Sequence, residues 1–145
     1  MKISEIIEEW KKDTKLDDLN LDSESLHIPS LHSKYLTHLS DTRLKLRALR
    51  IERKKIVREL MSYYSGDLNN PEDLKRINRE PWAKKVLRND IMGYVDTDSD
   101  ITEIDAKIEM CEEKVEVLVE IIKSINGRNY NITNAINFRR LTMGG

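Results

Sequence analysis

The sequence predicts an all-α protein built from long heptad-patterned helices joined by short linker helices. Its 145 residues include only five glycines and three prolines, so residues that break helices are rare. Apolar residues recur every three or four positions over two stretches, about 29–64 and 98–126. We therefore expect a single helical domain over 1–145, with a basic arm at 29–64, a linker at 65–97 and oligomerisation helices at 98–145.

The first half of the chain predicts one short and one long helix. Residues 2–12 read as a short amphipathic helix. Pro29 suits a first helical turn, and neither Pro nor Gly follows it before Tyr64, which predicts a helix over 29–64. The apolar seam of this helix includes two polar positions. Its members are Tyr35, Leu39, Thr42, Leu46, Leu49, Arg53, Ile56, Leu60 and Tyr63.

The second half begins with a stop signal at Gly66 and a linker broken at Asn70-Pro71 and Glu80-Pro81. One or two short basic helices are expected in this linker. The next long helix starts in the DTDSD run and lasts until Asn126, and a final helix is predicted at 132–141.

Charge is strongly segregated along the chain although the net charge is only −1. Between Arg43 and Gly66 there are eight Lys or Arg and two acids, whereas Asp96 to Glu120 holds ten acids and two bases. The near-neutral total therefore hides a basic arm and an acidic arm.

Several functional classes are disfavoured. Residues 96–100 resemble the start of a calcium loop, but Ile101 and Lys107 replace the Gly and Glu that such a loop requires, so we interpret the run as a helix cap. The histidines lack a metal-ligand spacing, and no phosphate loop or nucleophile motif is present. We expect no enzyme activity, no cofactor and no metal.

The location of the protein is predicted from its cysteine content and its N-terminus. The single cysteine, Cys111, excludes an internal disulfide and fits a reducing compartment. The amphipathic, acidic N-terminus lacks the apolar run of a signal peptide or membrane span. We expect a cytoplasmic protein without membrane contact.

The basic arm places its charges on one helix face. At 100° per residue, five cations fall within an arc of roughly 80° away from the apolar seam. We call these five the ridge: Arg43, Arg47, Arg50, Lys54 and Arg58. A solvated face is the alternative interpretation, but the density of charge favours a polyanion. The full set of candidate DNA-binding residues is Arg43, Arg47, Arg50, Lys54, Lys55, Arg58, Tyr64, Lys84 and Lys85.

The apolar stripe of the acidic helix predicts self-association, because one small chain is expected to leave so long a stripe uncovered. The candidate oligomerisation residues are Ile101, Ile104, Ile108, Val115, Leu118, Ile122, Ile125 and Phe138.

Short motifs, in their order along nearly the whole chain, resemble phage recombination mediator proteins of the UvsY type. These motifs are Glu5 or Glu9 with Trp10 to Asp13, SKYL at 33–36, YYSG at 63–66, VDT at 95–97 and IKS at 122–124.

The resemblance implies an all-helical, hexamer-like homo-oligomer that acts in the infected bacterial host. It implies binding to single-stranded DNA, a weakened hold of the phage single-strand-binding protein, and loading of a phage RecA-like recombinase. The family's Lys-x-Arg DNA-binding motif falls on Arg58 and Leu60, and Leu60 carries no charge, so we expect the contacts to lie mainly upstream in the ridge. The alternative is a structural or adaptor coiled-coil oligomer whose basic and acidic arms pair between subunits.

Overall fold

The computed structural model describes residues 1–144, and helices are the only regular secondary structure in that range. The all-α prediction is confirmed. Residues 1–144 form six α-helices and one 3₁₀ turn: α1 Ile3–Asp13, α2 Leu21–Tyr64, α3 Pro71–Arg76, the turn Arg88–Asp90, α4 Ile91–Asp96, α5 Ser99–Asn126 and α6 Arg128–Thr142. No helix of residues 1–144 is long and apolar enough to cross a bilayer.

Helix α2 begins eight residues before Pro29, so the predicted start was wrong. A proline inside a helix removes one backbone hydrogen bond and crowds the preceding turn. Leu21, Ile28 and Leu31 are all buried, and their burial favours the helical conformation on both sides of the proline. The predicted end is confirmed, because Gly66 takes a left-handed φ of 87° just beyond Tyr64.

The later elements lie close to their predicted positions. The linker holds α3, the 3₁₀ turn and α4, and α5 starts within one residue of the expected position. Asp98 caps α5, since its Oδ1 accepts a hydrogen bond from the backbone N–H of Asp100 at 2.9 Å. Helix α6 starts four residues earlier than predicted, at Arg128.

The described chain divides into two compact units. The first comprises residues 1–44 and 112–144, and the second comprises Lys45–Cys111. Both long helices contribute a segment to each unit. The single-domain organisation stays a prediction.

The first unit has a continuous apolar core contributed by α1, α2, α5 and α6. Its buried members are Ile6, Leu21, Ile28, Leu31, Tyr35, Leu39, Leu118, Ile121, Ile125 and Ile132.

Polar contacts surround this core. Lys34 lies 2.6 Å from a carboxylate oxygen of Glu9 and 2.6 Å from one of Asp13, and the Tyr35 hydroxyl donates to Asp13 at 2.8 Å. Buried Arg128 donates to the backbone oxygen of Asp13 at 2.9 Å. The first residue of α6 is thereby fixed to the end of α1.

The apolar stripe of α5 is covered by the chain itself, which corrects the expectation that it needs a partner subunit. Ile101, Leu118 and Ile125 are each 0% exposed, and Ile104 and Ile108 are also buried. Val115 and Ile122 are half-buried. Neighbouring helices of the same chain supply the cover that sequence reasoning assigned to a second copy. Phe138 differs from the rest of the predicted set, because it is 66% exposed.

Candidate nucleic-acid interface

The ridge lies on an exposed face of α2. All five of its side chains are exposed, and so is the neighbouring Lys55. The opposite side of the helix is buried at Leu46, Leu60 and Tyr63, as the heptad pattern predicted. The same helix therefore packs on one side and presents cations on the other.

Most of these cations have no partner. Within residues 1–144, no carboxylate or other hydrogen-bonding group engages the side chains of five of them: Arg43, Arg47, Lys54, Lys55 and Arg58. An unpaired surface cation keeps only mobile counterions, and these are released when a phosphate replaces them. These cations are therefore available to a polyanion, because no group within residues 1–144 neutralises their charges.

Two arginines in the same stretch are engaged differently. Arg53 is half-buried and bound to Asp105, with 2.6 Å between Nε and Oδ1. The hydrogen bond that Arg53 donates to Asp105 raises the pKa of the guanidinium, so the charge of Arg53 is permanent and already paired. Arg50 is exposed and also takes part in an interaction within the chain.

Tyr64 does not lie on the exposed face, although the sequence placed it among the candidate DNA-binding residues. It is 8% exposed, and its hydroxyl donates to Asp98 at 2.5 Å. Its ring packs edge-on against Trp82, with centroids 4.7 Å apart, and lies 5.5 Å from the ring of Tyr94. Tyr63 completes this aromatic cluster of the second unit, with its centroid 5.1 Å from that of Tyr64. The cluster fastens the linker to the end of α2.

An ion-pair network holds the same region. Both terminal nitrogens of Arg79 donate to Asp98, at 2.8 and 2.7 Å, and one also donates to Asp100 at 2.8 Å. Burial raises the pKa of Asp98, but hydrogen bonds from Arg79 and Tyr64 outweigh it and hold the pKa below the ordinary value. Burial, together with the bond to Asp98, raises the pKa of Tyr64. Arg79 thus neutralises the one buried carboxylate among residues 1–144.

The two linker lysines are both exposed but not equivalent. Lys84 donates to the Tyr94 hydroxyl at 2.6 Å and lies 5.1 Å from the centre of that ring. Lys85 has no partner among residues 1–144. Of the pair, Lys85 is the one whose charge is fully available.

No cluster of metal-binding side chains exists among residues 1–144. Asp98 and Asp100 both point to Arg79, so the DTDSD run serves as a cap and an anion partner in the described chain.

Helix α6 carries apolar residues on both of its faces. Ile132 is buried, and Ala135 and Ile136 are half-buried against the core of the first unit. On the outer side, Tyr130, Phe138 and Leu141 are 71%, 66% and 81% exposed. At 100° per residue these three fall within an arc of roughly 80°. We call them the outer face of α6, and no group of the described chain covers it.

Comparison with known proteins decides the family. A family model described as "Recombination, repair and ssDNA binding protein UvsY" matches residues 9–145. This chain belongs to the UvsY family. No curated protein sequence matches it.

Crystal structures of the recombination mediator protein UvsY from bacteriophage T4 share the fold. In lattice type IV the TM-score is 0.85 at 19% identity, over 97% of this chain and 99% of that one. Lattice type II gives a TM-score of 0.82 at 21% identity, over 100% and 99% of the two chains. Lattice type I gives 0.83 at 19% identity, over 95% and 98%. The UvsY fold is thus retained at low sequence identity.

Sequence reasoning missed several residues that shape this UvsY-family chain. Arg79 and Asp98 form a largely buried ion pair, with side chains 18% and 3% exposed, yet they lie 19 residues apart without a shared motif. Arg128, which is buried at the start of α6, also lies in none of the sequence motifs. The acidic cap run was the one available signal, because a buried carboxylate requires a cation nearby.

Proposed function

We propose that this protein binds single-stranded DNA through the ridge of α2, together with Lys55 and Lys85. The observation that carries the proposal is the set of exposed α2 cations without an acidic partner in residues 1–144. Lys and Arg on a helix face neutralise phosphates but do not read bases, so binding is independent of sequence. The description of the family as ssDNA-binding supports single-stranded DNA as the ligand.

Tyr64 is left out of the proposed contacts, because its ring is packed inside the second unit and its hydroxyl is bonded to Asp98. Lys84 contributes charge from the edge of the aromatic cluster. The acidic residues of α5 repel a strand and confine it to the basic side of α2.

The protein acts as a homo-oligomer, and we infer that the outer face of α6 forms part of the contact between subunits. Exposed apolar residues on one side of a helix favour burial against a partner. A second copy is the occupant that the family membership supports. A ring-like, hexamer-like assembly places several ridges on one strand, so that weak individual contacts add up to tight binding.

As a recombination mediator, the oligomer holds single-stranded DNA in a shape that disfavours the phage single-strand-binding protein and favours a RecA-like recombinase. No ATP is needed for this step, because binding energy alone shifts the competition between the two proteins. The structural or adaptor alternative remains an outcome of the test below.

The test is a fluorescence anisotropy titration of labelled single-stranded and duplex oligonucleotides over a range of salt concentrations. We expect tighter binding to the single strand, with a slope of log affinity against log salt of roughly −0.7 per phosphate contact. An oligomer that binds neither DNA would establish the adaptor alternative. Recombinase filament assembly on DNA precoated with single-strand-binding protein tests the mediator step.

A further inference from the structure

The end of the ridge borders a cleft in the second unit, between the last turns of α2 and the short helix α3. Its volume is about 480 Å³. Residues 55–62 of α2 supply one wall, Leu68 lies in the connection, and Arg76 lies at the end of α3. The lining residues are Lys55, Arg58, Glu59, Ser62, Leu68 and Arg76.

Three cations line this cleft. Lys55 and Arg58 are exposed and have no partner in residues 1–144. Arg76 is held by Glu59, with 3.3 Å between nitrogen and carboxylate oxygen, and lies 4.0 Å from an oxygen of Asp73. The Arg76 side chain is 64% exposed and that of Glu59 is 33% exposed. This pair is accessible to water and has one contact at 3.3 Å, whereas Arg53 holds Asp105 through two nitrogens and at 2.6 Å. The Arg76 pair is therefore weak, and a stronger anion can replace the carboxylate.

The chemistry of the lining fits a phosphate. A guanidinium presents two parallel N–H groups that match phosphate oxygens, and Lys55 adds a point charge. The Ser62 hydroxyl can donate a further hydrogen bond. Leu68 adds an apolar surface suited to the sugar that accompanies a backbone phosphate.

We propose that this cleft binds an internucleotide phosphate of the single strand, and that Glu59 is a built-in competitor which the strand displaces from Arg76. The inference rests on the proposed function and extends the interface from α2 to α3. Glu59 thereby limits affinity, because part of the binding energy is used to break its pair with Arg76. A moderate affinity suits a protein that must later release the strand to another protein.

The first experiment compares Glu59→Gln with Glu52→Gln by anisotropy, using an oligothymidylate with a 5′-hydroxyl, so that every phosphate is internucleotide. The two glutamates lie seven residues apart on the same side of α2, and both substitutions remove one negative charge. Glu52 has no partner among residues 1–144 and does not line the cleft. We expect Glu59→Gln to tighten binding roughly two- to fivefold more than Glu52→Gln does.

The second experiment adds Arg76→Gln. This change should reduce the salt slope by about 0.7, the loss of one phosphate contact. In the Arg76→Gln background, Glu59→Gln should bring no more gain than Glu52→Gln, because there is no arginine left to release. Sedimentation of each variant checks that the assembly is unchanged.

The outcomes separate the cleft from the wider proposal. Equal gains from the two glutamate variants, or a Glu59→Gln gain that persists without Arg76, would overturn the cleft while leaving ridge binding in place. Absence of oligonucleotide binding by the unaltered protein would overturn both.

Discussion

Arg53 of α2 binds the carboxylate of Asp105 on α5 through two nitrogens, with Nε 2.6 Å from Oδ1 and Nη2 3.4 Å from Oδ2. Its chain neighbour Lys54 is exposed and has no partner in residues 1–144. Two adjacent cations of one helix therefore have different roles. One is neutralised within the fold, and the other remains available to an external anion.

This difference predicts unequal effects on DNA binding. Lys54→Gln should reduce the slope of log affinity against log salt by about 0.7, because one phosphate contact is lost. Arg53→Gln should leave the slope unchanged, since its charge is already paired. Anisotropy titrations of the two variants at several salt concentrations measure both slopes. Equal losses in the two variants would show that pairing within the chain does not determine which cations meet DNA.

Reversing two ridge charges should remove tight binding. We expect Arg47→Glu with Lys54→Glu to flatten the salt dependence and to abolish recombinase loading, because two contacts become repulsive. Both positions are exposed, so the helix content and the oligomer should be retained. Circular dichroism and sedimentation serve as controls. If the double variant binds oligonucleotide as tightly as the parent, with the same salt dependence, the ridge is only a solvated face.

The buried pair of Asp98 and Arg79 predicts a pH-dependent stability. The folded pKa of Asp98 lies below the ordinary 3.8, so its contribution is complete above that value and is lost as pH falls through the folded pKa. Asp98→Asn should cost about 3 kcal/mol near neutral pH, because Arg79 loses its main partner. The difference from the parent should shrink as the pH falls below 3.8.

Urea unfolding of the parent and the variant over a series of pH values measures this difference. Asp90→Asn is the matched control, because Asp90 is an exposed carboxylate of the same unit whose side chain has no partner in residues 1–144. A constant difference between Asp98→Asn and the parent across the acidic range would contradict the assignment.

The outer face of α6 predicts a change in assembly. Phe138→Glu with Leu141→Glu should shift the oligomer towards monomers without unfolding the chain, because both side chains are exposed in the single chain. Analytical ultracentrifugation gives the distribution of species. Leu87→Glu is the control, since Leu87 is 76% exposed but lies in the linker. An unchanged sedimentation profile for the α6 variant would place the subunit contact elsewhere.

The core of the first unit predicts the opposite behaviour. Leu118 is 0% exposed, so Leu118→Ala should lower the free energy of unfolding by about 3 kcal/mol. Because Leu118 is buried within the single chain, we attribute this loss to packing within that chain. The loss should therefore be the same at low and high protein concentration in denaturant titrations. A loss of unfolding free energy that depends on protein concentration would instead place Leu118 at the subunit interface.

The elements that could be predicted from the sequence were those with a strong local pattern. The seams of α2 and α5 repeat every three or four residues, and Gly66 and Asp98 are local end signals, so their positions required no knowledge of tertiary contacts. The start of α2 could not be predicted, because burial of Leu21 and Ile28 outweighs the local cost of Pro29.

The candidate site, too, could be predicted from the sequence only in part. Exposed cations on one helix face follow from periodicity alone. The burial of Tyr64 depends on Trp82, Tyr94 and Asp98, which only tertiary folding brings next to it. The contact between Arg76 and Glu59 likewise requires the chain to turn back at Gly66. The apolar stripe of α5 led to the wrong expectation of a partner subunit over it, because periodicity identifies an apolar face without identifying what covers that face.

The spacing of the ridge along α2 has a consequence for the form of DNA that can lie on it. Neighbouring cations from Arg47 to Arg58 are three or four residues apart, a rise of about 4.5–6 Å each. A stacked strand of B-form DNA advances only about 3.4 Å per phosphate along its axis and winds around that axis, so its phosphates turn away from a straight row of cations. A strand that gives one phosphate to each cation must instead run along α2. An unpaired strand can take this path because no second strand fixes its curvature, whereas a duplex would have to unwind, so the straight row of cations on α2 favours flexible DNA over rigid DNA.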